Sequence, residues 1–422
     1  SVPLRLQLAD ALERVGSLPD ALQQLRALVT DQPDSYLARW RYAQMLTRAG
    51  KWSEAAEQVQ AAQQLNPAGL DAALLNIQIK IQLLQQSGLK PDDPQWQTLA
   101  SQVKQLRQAA PDSLPVKLAD FQLALLLQQK ERAEQIMADL KKSDPDSIQV
   151  AMAQISLLED QGRSEEIEPA LRAILQKHPQ TLTPVKVLVT YLLGQGRTAD
   201  GEKAIQEARQ RIPAPQAQRE LGLLLADWYR SQGQNEQALA ELEALSSQFP
   251  QDISILRQLL NNSQIRQNDS RSRELVNKIK EQEGQSGWQW RYEQARLWLD
   301  SKDFSAQYAA TVSLLKENLQ ARPDDNASRI LLAAAYERAG DRQLALATFR
   351  EAYHRSPRDL NVMVPLVAAL NKAGEFQEAD EILNRAAQQK FSHPLLSSLR
   401  YQNYIGLGRL DSGATILQEL LQ

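Results

Sequence analysis

The chain has no cysteine in 422 residues, so no disulfide and no thiolate metal site can form in it. That absence fits an exported bacterial protein, where a stray thiol risks wrong pairing in an oxidising compartment. It fits a cysteine-poor proteome equally well. Histidine is nearly as scarce. His178, His354 and His393 lie far apart, and no HExxH or other ligand spacing joins them. There is no Walker A sequence and no nucleophile elbow, and Gly406, Gly408 and Gly413 do not make a GxGxxG fingerprint. No catalytic residue, metal or cofactor is expected. Aromatic residues make up 5% of the chain, and the net charge is −3 with a pI near 5.9. No basic excess exists to attract nucleic acid or an anionic membrane. Nothing reads as a signal peptide or a membrane span, so no direct membrane insertion is expected of this stretch. Acidic residues such as Glu165, Glu166 and Glu168 read as a solvated helix face.

What is present is a repeat. From Asn326 to Pro357 the sequence reads NASRILLAAAYERAGDRQLALATFREAYHRSP. Leu332, Ala333 and Tyr336 fall on one helix face, Gly340-Asp341 breaks the run, and Ala345, Phe349 and Ala352 mark a second face that Pro357 closes. Small residues let two antiparallel helices approach, while Tyr336 and Phe349 fill the space left between them. Gly340 can take the left-handed conformation that ends a helix, and Asp341 is placed to cap the next. This stretch resembles a tetratricopeptide repeat, a 34-residue helix–turn–helix unit.

The pattern recurs. Gly16 to Gly50, Ala21 to Ala55 and Pro33 to Pro67 are each one 34-residue period apart. Repeat one has Leu8, Ala9 and Leu12 facing inward and Ala21, Leu25 and Leu28 packing. Repeat two has Tyr42, Ala43, Leu46, Ala55, Val59 and Ala62. Repeat three is irregular: an apolar helix over Asp71 to Gln86 is followed by a loop, Ser87 to Pro94, because Pro91 and Pro94 cannot sit inside a helix. In repeat four Gln129-Lys130 replaces the glycine turn. Repeats five, six and seven turn at Gly162, Gly196 and Gly233. Repeat eight is degenerate, with Asn268-Asp269 at its turn. Repeat nine carries Ala295, Trp298, Asp303 and Phe304, with about one extra turn in its second helix. Repeats eleven and twelve turn at Gly374 and Gly408. The expected fold is all-α, an α-solenoid of about twelve helix–turn–helix repeats over residues 1–422 in one continuous array, irregular near 70–112 and 252–323. It begins at Ser1 without Met and ends at Gln422 inside a helical pattern with Leu417, Leu420 and Leu421 apolar, and is read as a piece of a longer protein.

The resemblance implies a right-handed superhelix whose first helices line a concave groove, and a non-enzymatic scaffold that binds another protein or an extended peptide. In the family, positions 2, 5, 9, 12 and 13 of the first helix face the groove. In repeat two these are Leu37, Trp40, Gln44, Thr47 and Arg48, and with Arg39 and Arg41 they make that repeat locally basic. A basic groove with a tryptophan suits an acidic or extended peptide. The other reading packs Trp40 on its neighbour and lets the arginines reach into water. Repeat nine holds the densest aromatic run, Trp288, Trp290, Tyr292 and Trp298. Tyr292 and Arg296 map to the groove, Trp298 to the core, and Trp288 and Trp290 either fill space beside degenerate repeat eight or meet a partner. The family's carboxylate clamp needs Lys and Asn at positions 5 and 9. Repeats one, ten and eleven instead have Leu6 and Asp10, Ile330 and Ala334, and Val364 and Ala368. A chaperone-tail adaptor is therefore not expected.

The array resembles the periplasmic parts of exopolysaccharide-secretion proteins, which implies a periplasmic location, with the cytoplasm as the alternative. Direct polysaccharide contact through Trp288, Trp290 and Tyr292 is a second functional reading. A substrate-recruiting array attached to an enzyme domain outside this stretch is a third.

Overall fold

The computed structural model describes residues 2–14, 17–388, 391 and 393–420. Among these residues there are twenty-five helices and no strand. The expected turn at Gly16, and Ser1, Leu421 and Gln422, lie outside the described residues, as does the side chain of Leu420.

Two compact units divide the chain, residues 1–252 and 253–422. The first is built of seven helix pairs, from Val2–Arg14 with Leu18–Asp31 to Pro215–Ser231 with Asn235–Gln248. The second begins with a repeat whose first helix is broken into Ile253–Asn261 and Ser263–Gln267. Four regular pairs follow it, ending in Pro394–Gly406 with Leu410–Leu420. Within each unit every helix packs on the next, and the first helices of repeats one to five and of repeats nine to twelve also touch in succession. First helices thus sit closer together than second helices, so they form the inner side of each stack.

The packing follows the repeat pattern. In repeat ten Leu332, Ala333, Tyr336, Ala345, Phe349 and Ala352 are all buried. The alanines lie at 0–2% exposure, where helix axes pass closest, and Phe349 fills the gap beside them. Ser35, Ser147 and Asp325 cap the helices that follow them, each side chain accepting from a backbone N–H three residues on. Gly340 takes φ +92° and closes its helix in the left-handed conformation. The Asp341 side chain does not cap the next helix. It accepts instead from the Tyr308 hydroxyl at 2.8 Å, tying repeat nine to repeat ten.

Four details depart from the sequence reading. Leu8, expected to face inward, is exposed. Its counterpart one period on, Tyr42, is buried in a cluster that includes residues of both neighbouring repeats, and Leu8 is not among the described residues of that cluster. In repeat four the left-handed residue is Gln128, at φ +56°, one place before Gln129-Lys130. Pro94 is not in the loop but opens the helix Pro94–Ala109, where a residue without an N–H leaves no bond unmade, and Asp93 caps it. Trp298 is only partly buried, an indole being too large for the space that encloses Tyr336 at the same repeat position. The extra turn expected in repeat nine is present, the helix Phe304–Ala321 having 18 residues against 14 for its neighbour Arg342–Arg355.

Candidate partner-binding site

The helix Tyr36–Arg48 starts at Ser35 and runs without a β-branched interruption until Thr47, which keeps its face regular. Ala38, Tyr42, Ala43, Met45 and Leu46 are buried, and that fixes which side is left over. On the remaining side Leu37 is exposed, Trp40 and Gln44 are half-buried, and Arg48 reaches solvent. The Arg41 guanidinium lies 5.9 Å from the Trp40 ring centroid and donates to Gln44 Oε1 at 3.0 Å.

The arginines here are paired. Arg41 is bridged to Asp10 and Arg48 to Glu13, both acids lying on the first helix of repeat one. Arg39 donates to the Pro33 carbonyl at 2.6 Å and to Gln58 at 3.0 Å. The local positive charge read from repeat two alone is therefore offset by the repeat before it. The same arrangement recurs: Lys186 meets Glu220 at 2.7 Å, and Lys372 meets Glu337 at 2.7 Å, each pair about one period apart in sequence.

The second cluster is centred on the helix Trp288–Asp300. Trp290 is buried, its indole N–H donates to the Gly284 carbonyl at 3.0 Å, and the Lys280 ammonium sits 4.3 Å over its ring. It is a packing residue. Trp288 is half-buried, with the Arg322 guanidinium 4.2 Å from its centroid and Arg257 at 5.5 Å. Arg257 also lies 5.6 Å from the Tyr292 ring, and burial pushes the Tyr292 phenol above its ordinary value. Below these rings Glu293, 1% exposed, meets Arg257 Nε at 2.8 Å and Arg296 Nη2 at 2.6 Å. Arg296 continues to Asn261 Oδ1 at 2.6 Å and the Leu260 carbonyl at 3.1 Å.

Of the eight candidate residues, Trp40, Arg41, Gln44 and Arg48 thus form one group on repeat two, and Trp288, Tyr292 and Arg296 form a second with Arg257, Gln289, Glu293 and Arg322. Sequence reasoning missed those last four. For two of them the signal is a charge about one period from its opposite, Arg257 from Glu293; Gln289 and Arg322 carry no such mark. No group of three or more His, Cys, Asp and Glu able to hold a metal occurs among the described residues. No described helix is long and apolar enough to cross a membrane. His178 and His354 lie at helix ends, and His393 Nδ1 accepts from the Leu395 N–H at 3.2 Å as a cap.

Three family models, each described as tetratricopeptide repeat, match residues 6–69, 220–252 and 337–402. No curated protein matches the sequence. Among solved structures, the chain is similar to a tetratricopeptide repeat protein from Parabacteroides merdae at 15% identity and TM-score 0.37, over 58% of this chain and 92% of that one. It is similar to a thermophilic one from Thermus thermophilus at 19% identity and TM-score 0.40, over 46% and 100%. Yeast Tom70 aligns over 99% of this chain and 91% of its own at 12% identity and TM-score 0.47.

Proposed function

The chain is a tetratricopeptide repeat protein, and we propose that it works as a non-catalytic scaffold, gripping another protein along the inner faces of its first helices. Repeat proteins of this kind are protein-interaction scaffolds in general, and a fold alone does not name a partner. One observation carries the reading to particular residues. Each unit presents a half-buried tryptophan with a guanidinium over it on a first helix, Trp40 with Arg41 and Trp288 with Arg257 and Arg322. Tryptophan and arginine held rigid in this way are the side chains most often found at the energetic centre of an interface. The charge they present is balanced by Asp10, Glu13 and Glu293, which favours an extended peptide with mixed chemistry over a strongly acidic one.

We place this work in the bacterial envelope, within a polysaccharide-secretion assembly and with a periplasmic location. The missing cysteine and the long helical array support that choice. A polysaccharide as the direct ligand takes second place. Arg322 and Lys280 already cover a face of Trp288 and Trp290, where a sugar ring would have to stack.

A crosslinking pull-down with this chain as bait, run separately on envelope and cytosolic extracts, tests both parts. Capture of one envelope protein, lost with Trp40→Ala or Trp288→Ala, is the expected result. Capture insensitive to both variants would remove those tryptophans from the interface, and cytosolic partners alone would overturn the envelope assignment.

A further inference from the structure

Repeat three contains a cleft that the inner face does not use. Its floor is the helix Leu70–Gln86 and its walls are the second helices on either side, Trp52–Leu65 and Pro94–Ala109. The floor residues Asn76, Ile77, Lys80 and Leu83 lie on the side of their helix opposite positions 71, 74 and 78, which match the groove positions of repeat two. The cleft therefore opens on the outer side. Its volume is about 670 Å³, against about 180 Å³ for the equivalent space between second helices at Arg172 and Arg211. Ligand pockets commonly fall at roughly 300–1,000 Å³.

Two substitutions in the repeat pattern give this cleft its chemistry. One period after Tyr42 and Leu46, both buried, stand Asn76 and Lys80. A polar pair thus replaces the apolar side chains that pack this layer in repeat two. Lys80 donates to Gln102 Oε1 at 3.0 Å, and Asn76 to Gln63 Oε1 at 2.6 Å. No carboxylate among the described residues pairs with Lys80, although most cationic side chains elsewhere in the chain have such a partner. Burial lowers its ammonium below the ordinary lysine value. It is the one charge on a lining that is otherwise glutamine, asparagine and aliphatic. A half-buried cation held only by neutral amides lacks the anion that would offset its lost hydration.

We propose that this outer cleft is a second binding site, which takes an acidic side chain of an extended protein segment, its carboxylate on Lys80 and its backbone amides on the glutamines of the walls. The lining has no aromatic side chain on which a sugar ring could stack, which favours a peptide over an acidic polysaccharide. Side-chain amides both donate and accept, as an extended peptide backbone requires.

The test is a selection of random dodecapeptides displayed on phage against the full chain, counter-selected on Lys80→Met. Enriched peptides and their Glu→Gln, Asp→Asn forms are then measured by fluorescence anisotropy. Enrichment in Asp or Glu is expected, with binding at least ~10-fold weaker for Lys80→Met or for the amidated peptide, the size of one lost charge-assisted hydrogen bond. Gln102→Glu supplies an internal counter-ion while leaving Lys80 in place. It should weaken binding similarly, and it keeps the test decisive if Lys80→Met fails to fold. No enrichment, enrichment without acidic residues, or binding unchanged in both variants would overturn the site. An oligouronate that binds with the same dependence on Lys80, while the peptides do not, would overturn the choice of a protein ligand.

Discussion

Replacing Glu293 by Gln removes one negative charge from beneath the Trp288–Tyr292 cluster and changes almost nothing in shape. Glu293 is 1% exposed, and its oxygens meet Arg257 at 2.8 Å and Arg296 at 2.6 Å. The variant leaves two guanidiniums facing a neutral amide that can satisfy one of them as acceptor. Breaking a buried ion pair from one side costs about 3–5 kcal/mol. Here the arginine side chains keep 30% and 17% of their exposure, so water offsets part of that cost, and about 2–3 kcal/mol is expected. Arrays of repeats do not unfold as a single two-state unit. The readout is therefore local: urea unfolding followed by tryptophan fluorescence, paired with hydrogen exchange over 253–321. Exchange should quicken there and stay unchanged near Phe349. Arg257→Gln combined with Glu293→Gln should cost less than the two single changes summed, because the charge left behind is removed as well. A loss below about 0.5 kcal/mol, within the range of an ordinary surface change, would refute the claim that this carboxylate organises the cluster.

Phe349→Ala empties a site only 2% exposed between the helices of repeat ten, and a local loss of about 3–5 kcal/mol is expected, read as faster hydrogen exchange over 326–355. Gly340→Ala forces a side chain into φ +92° with nothing within 4 Å of the new methyl, so the cost is backbone only, about 1–2 kcal/mol. Gly201→Ala tests the opposite case: its backbone is helical, but the methyl would clash with the Trp228 ring, and quenching or shift of that indole's fluorescence should accompany the destabilisation. Hydrogen bonds from Arg350 hold the Glu378 carboxyl below the ordinary carboxylate range. Its stabilisation is therefore present above the unfolded value near 4.3 and is lost as pH falls through the lower folded value. Urea midpoints of wild type and Glu378→Gln should differ at pH 7 and converge in acid, and a gap that persists in acid would exclude this pair as the source.

The helices were legible because each layer of the pattern answers to one local cause. Gly50, Gly162, Gly196, Gly233, Gly340, Gly374 and Gly408 all take positive φ at the turns read from the sequence. Where a turn lacks glycine, the signal fails by a residue, since Gln128 carries no mark of the left-handed conformation it adopts. The break at Asn262 in repeat eight was equally hidden. Asn262 caps a five-residue helix that packs against Asp269–Glu283. The candidate sites were legible only as types. Trp40 and Trp288 stand out by rarity, whereas Asp10, which pairs with Arg41 beside Trp40, and Arg257, which lies over Trp288, come from neighbouring repeats. A reading confined to one repeat sees Arg41 as free charge, and only the stack brings Asp10 beside it.

The charge pairs that join successive first helices also distinguish one junction from another. Apolar contacts between repeats have no charge to match, small residues against larger aliphatic and aromatic ones. Arg41 with Asp10, Lys186 with Glu220 and Lys372 with Glu337 are each specific to one junction. Deleting or transposing a whole repeat would preserve the period and the greasy seam yet bring unmatched charges together. At these three joints the order of the repeats carries a matched pair of charges, each legible only where its halves meet.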